Sequence, residues 1–133
     1  MARSRRKADP ARALAVAAAR IAHEDNAEDV LVLDLRGISP VTDYFVICTG
    51  TSDRQMRAVA DEIAGYGKSV GQKVWHVAGT ETAEWIVMDF VDVVVHLFDA
   101  ERRQYYELEL MWGEAPKVRW QRRSRRTGTE KPK

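Results

Sequence analysis

The chain has 133 residues, 45% of them apolar, which is enough for one ordinary domain with a proper core. No apolar run reaches the roughly eighteen residues of a membrane span. A single cysteine, Cys48, excludes an intramolecular disulfide and suits a reducing compartment such as the cytoplasm. The net charge of +1 conceals a segregation: residues 1–12 carry +4, residues 117–133 carry +7, and the middle, 13–116, carries −10. An acidic body with basic, disordered ends is expected, and such a body suits a basic protein partner better than bare nucleic acid.

In chain order, residues 1–11 read as a basic tail, residues 12–113 as the domain and residues 114–133 as a second basic tail. The basic start followed by A-L-A-V-A-A-A imitates a targeting signal, but the run continues as an amphipathic helix. Pro10 can open that helix, and residues 11–24 follow with Leu14, Ala17, Ala18 and Ile21 on one face. Residues 30–35, V-L-V-L-D-L, and 44–49, Y-F-V-I-C-T, read as strands. Ser52 then offers an N-cap, and Asp53 suits the positive end of the helix dipole. This second helix should reach about Ser69, with Met56, Val59, Ala60, Ile63 and Ala64 facing the sheet.

Residues 73–78 form a third expected strand. The densest stretch is 83–98, A-E-W-I-V-M-D-F-V-D-V-V-V-H-L-F. A helix there would be apolar on nearly every side. Branched and aromatic residues instead favour two strands, 84–89 and 92–98, joined by a tight turn at Phe90 and Val91. The second is apolar on both faces and belongs inside a covered sheet. A last helix is expected over 101–112, with Tyr105, Leu108 and Trp112 on one stripe. The order is α-β-β-α-β-β-β-α: a single α/β (α+β) domain with a mixed five-stranded sheet flanked by helices.

No pattern of catalytic residues emerges. G-T-S-D at a strand-to-helix joint could hold an anion, but no phosphate-loop or dinucleotide signature accompanies it. Glu84, Asp89 and Asp92 are conceivable magnesium ligands for nucleotidyl transfer, yet the paired D-x-D of two-metal sites is absent. His23, His76 and His96 are scattered, and His96 reads as a core histidine. Cys48, in an apolar run, reads as an inert buried thiol. On pattern alone Trp85 is a core residue capping the sheet.

Three blocks carry a family resemblance: D-Y-F-V-I-C-T-G-T-S-D-R-Q, the 83–98 stretch, and R-R-Q-Y-Y-E-L-E-L-M-W. Together, across about residues 12–113, they resemble the ribosomal silencing factor family, also called Iojap or RsfS. The resemblance implies a nucleotidyltransferase-like fold without its active site, and no cofactor. It implies binding to large-subunit ribosomal protein fourteen on the subunit-joining face, where the bound factor blocks the small subunit and lowers translation when nutrients are scarce. It also implies a homodimer when free. The family's A-[ED]-W motif falls on Ala83, Glu84 and Trp85, so Trp85 becomes a contact residue, with Asp89 and Phe90 beside it. Two positions depart from the family pattern: Val91 stands where glycine is usual, and Ala78 where glutamate is frequent. Two other readings are a metal-dependent transferase using Asp89 and Asp92, and an RNA-binding protein whose basic tails contact ribosomal RNA.

Overall fold

The computed structural model describes residues 9–106 and 115–122. Helix α1 is Pro10–Glu24, followed by strands β1 (Glu28–Asp34) and β2 (Tyr44–Thr49). Helix α2 is Asp53–Ser69. Strands β3 (His76–Ala78), β4 (Trp85–Asp89) and β5 (Val93–Phe98) follow, and then helix α3 (Ala100–Tyr106). The expected element order holds. Strand β3 is only three residues long, half of the expected 73–78. The stripe of Tyr105, Leu108 and Trp112 lies outside the residues whose side chains are described.

The sheet order is β1-β2-β5-β4-β3. Strands β2 and β5 run parallel in full register, from Tyr44 opposite Val93 to Thr49 opposite Phe98; the other pairs are antiparallel. The doubly apolar strand, β5, therefore sits at the centre. Its register splits the sheet into two faces. Tyr44, Val46, Cys48, Ile86, Met88, Val93, Val95 and Leu97 pack with α1 and α2. Leu33, Ile47 and Phe98 point the other way, with Leu31, Phe45 and Trp85 half-buried around them.

Each helix begins on a side-chain cap. Asp9 accepts from the Arg12 amide at 3.1 Å, so α1 starts just ahead of the expected 11–24. Its buried face is Ala11, Leu14, Ala15, Ala18, Ala19 and Ala22, which leaves the expected Ala17 and Ile21 half-buried at its margin. Ser52 Oγ accepts from the Gln55 amide at 3.0 Å, while Gln55 Oε1 accepts from the Thr51 amide at 2.9 Å. These bonds occupy amides that an anion at G-T-S-D would need. Met56, Val59, Ala60 and Ile63 of α2 are buried as expected.

The division of the chain needs one correction. Residues 115–122, expected to belong to a disordered tail, pack on the domain. The Val118 amide donates to the Val32 carbonyl at 2.8 Å and the Asp34 amide to the Pro116 carbonyl at 2.8 Å, so Lys117 lies antiparallel beside Leu33. Val118 is buried in the core, and Trp120 packs against it. The segment covers the outer edge of β1.

The β4–β5 turn keeps the backbone that suits a glycine. Val91 has φ +78° and is 56% exposed. Asp89 Oδ1 accepts from its amide at 2.7 Å and helps to hold it there. A branched residue in this region is strained by about 1–2 kcal/mol. Val91→Gly should therefore raise the unfolding free energy by about 1 kcal/mol, net of the backbone entropy that glycine adds to the unfolded chain. Urea titration of the two proteins checks this, and a less stable variant would show that contacts of Val91 outweigh its strain.

Candidate functional site

The residues singled out from sequence occupy the β3–β4–β5 half of the sheet, but not as one surface. Trp85, Val87 and Asp89 project from one face of β4, since alternate strand residues share a face. Phe98, His96 and Val94 lie opposite them on β5, and Asp89 also faces His76 on β3. Trp85 is half-buried. Its ring stacks on Phe98 with centroids 5.0 Å apart, and its Nε1 donates to His96 Nδ1 at 3.1 Å. His96 is 7% exposed, and burial pushes its pKa down to about 4, so its ring is neutral at pH 7. With Nδ1 accepting, the ring proton sits on Nε2, which has no hydrogen-bond partner.

Glu84 is exposed and paired with Arg102 at 3.2 Å. Ala83 and Phe90 are buried. Ala83, with φ +54°, turns the loop into β4. Phe90 lies in the core beneath α2, where Gly67 makes room: a Cβ there would come within 2.8 Å of the Phe90 ring. These two residues shape the site and present little surface. Asp89 is half-buried and engaged in the turn, while Asp92 is exposed. Among the described residues no three His, Cys, Asp or Glu side chains converge as a metal site. Cys48 is fully buried and its thiol pushed up to about 12 by burial, as an inert core thiol requires.

The loop before β4 is held from α2. Arg57 donates from Nε to the Thr80 carbonyl at 2.7 Å and from NH2 to the Glu81 carbonyl at 2.8 Å. Gly79, at φ +90°, passes so close to the Trp85 carbonyl that no side chain fits between them.

Sequence reasoning missed Trp75. It is 72% exposed just before the edge strand β3, and its amide donates to the Asp89 carbonyl at 2.8 Å. Val74 and Val77 pack against the core while Trp75 stands out. No local pattern marks it: Trp75 lies outside β3, and strict alternation would have placed it on the same face as Val77. Exposed tryptophan is enriched where proteins dock. Trp75 and Asp89 stand at one end of β4, half-buried Trp85 and exposed Glu84 at the other, and the edge strand of this half, β3, pairs on one side only.

These features define an α+β domain whose mixed sheet carries aromatic and acidic residues along its β3–β4 side. The family model described as "Ribosomal silencing factor during starvation" matches residues 8–133. The chain belongs to the ribosomal silencing factor family. It is 46% identical over 99 residues to ribosomal silencing factor RsfS of Bacillus subtilis, covering 74% of this chain and 84% of that one. A crystal structure from Bacillus halodurans is 38% identical, with a TM-score of 0.66 over 80% of this chain and 94% of its own. Another, from Chromobacterium violaceum, is 28% identical, with a TM-score of 0.73 over 77% and 85%. Among the described residues no helix is long and apolar enough to cross a membrane.

Proposed function

We propose that this silencing factor acts by occlusion and without catalysis. It docks in the cytoplasm on large-subunit ribosomal protein fourteen at the subunit-joining face, and its bulk then excludes the small subunit and represses translation under nutrient limitation. Free in solution it pairs as a homodimer. The observation that carries the reading is a whole-domain family match combined with an exposed tryptophan at one end of β4 and a half-buried one at the other, with acidic Glu84 and Asp89 on the same strand region. Acidic side chains there complement a basic ribosomal protein. Trp75 and Trp85 supply the apolar anchors, and Glu84 would exchange Arg102 for a partner cation at small cost, because an exposed, solvent-screened ion pair contributes little.

The test is co-sedimentation with separated large and small subunits. Wild type should pellet with the large subunit alone. Trp75→Ala should weaken that binding at least tenfold, the size of a hot-spot truncation. Because Trp75 is exposed, its removal leaves the fold intact, which circular dichroism verifies. Trp85→Ala is the poorer probe, since it also strips His96 of its hydrogen bond. Undiminished pelleting of the Trp75 variant would place the contact elsewhere, and pelleting with neither subunit would refute the partner.

A further inference from the structure

The segment 115–122 does more than cover an edge. Against the end of α1 it encloses a cavity of about 420 Å³, lined by Arg20, His23, Glu24, Arg119, Trp120 and Arg122 among others. Arg20 Nε donates to the Trp120 backbone carbonyl at 2.7 Å, which ties α1 to this segment. The His23 ring stands 5.3 Å from the Trp120 ring. Arg119 and Arg122 are exposed and have no ion pair among the described residues. Arg20 also lines a second cavity of about 380 Å³ with Arg12 and Tyr66, so it stands between the two along α1.

On a body of net −10, this concentration of cations is local. The acids along it are Glu24, in the first cavity, and Asp9, in the second. Asp9 already accepts from the Tyr44 hydroxyl at 2.9 Å and pairs with Arg36 at 3.4 Å. Guanidinium groups gathered around an open cavity with an aromatic ring in its wall match a flexible polyanion with flat bases. Arginine binds phosphodiester oxygens, and indole or phenol rings stack bases of any sequence.

We propose that the groove between α1 and residues 119–122 is a binding site for single-stranded RNA, with Arg20, Arg119 and Arg122 on phosphates and Trp120 stacking a base. The site lies apart from the β3–β4 side and does not depend on the docking reading. If both hold, it would add an RNA contact to the protein contact on the large subunit.

The test uses the full chain and a labelled single-stranded RNA of about twelve nucleotides, followed by fluorescence anisotropy at several salt concentrations. Arg119→Ala/Arg122→Ala should weaken binding about tenfold and reduce the slope of log affinity against log salt by about 1.4, or roughly 0.7 per lost phosphate contact. Arg123→Ala/Arg125→Ala removes the same charge from residues that follow in the sequence and should have a clearly smaller effect. RNA should quench part of the tryptophan emission of wild type, and Trp120→Phe should remove that part. Equal losses from the two double variants would mean that binding follows bulk charge, and the site would be rejected. Failure of wild type to bind the RNA would reject it as well. Neither result bears on pelleting by the Trp75 variant.

Discussion

Gly79→Ala is expected to destabilise the domain by about 3–4 kcal/mol. Two costs add. The backbone there sits at φ +90°, a region that charges an alanine about 1–2 kcal/mol. A methyl group would also collide with the Trp85 carbonyl and approach the Ile86 Cα to 3.3 Å, and both are backbone atoms that cannot swing aside. Overpacking of this kind costs about 1–3 kcal/mol. Gly71→Ala is the control: φ is +81° and no atom lies within 4 Å, so only the backbone cost of about 1 kcal/mol remains. Thermal unfolding of the two variants should separate them by about 10 °C. Equal melting temperatures would mean that the loop reaches β4 by another path. Because the same loop delivers Ala83, Glu84 and Trp85, Gly79→Ala should also impair ribosome association, unlike Gly71→Ala.

The second large effect is a dependence on acid. His96 titrates near 6.5 in the unfolded chain and at about 4 when folded, because burial penalises its charged form. Between these values the unfolded state binds the extra proton. The histidine's contribution is therefore intact above pH 6.5 and drains away as pH falls towards 4, to a total of about 3 kcal/mol. His96→Gln keeps an acceptor for Trp85 Nε1 and cannot titrate in this range. The difference in unfolding free energy between wild type and this variant should shift by that amount between pH 7 and pH 4, in the variant's favour. Parallel pH profiles would show that His96 is not the titrating group.

How far the fold was legible follows from where its determinants lie. Helix α2 and strand β2 were readable because their signals are local: a serine cap, a helical stripe, a short apolar run ended by glycine. The β4–β5 hairpin was readable for the same reason, and its register makes His96 a diagonal neighbour of Trp85, so their hydrogen bond was in reach. The strand order was not. Placing β5 between β2 and β4 depends on pairing between distant stretches that no local pattern encodes. Residues 115–122 were misread because their charge resembles a solvated tail, and only Val118 and Trp120 among basic neighbours betray the packing. Within the site, Trp85 and Glu84 emerged through family resemblance. Trp75 was passed over because an exposed tryptophan and a buried one are spelled alike, and Phe90 was chosen for its closeness in sequence to Trp85 although it points into the core.

The pairing of Val118 with Val32 has a consequence for biogenesis. Strand β1 acquires its outer neighbour only from a segment that follows every other strand of the sheet in the chain. Until that segment leaves the exit tunnel, the rim of β1 offers unpaired amides and carbonyls to any other nascent strand. Joining the two ends closes a long loop, whose entropic cost favours late formation. The sheet thus reaches its finished form only after all five of its strands have been made, when the segment carrying Trp120 settles against β1.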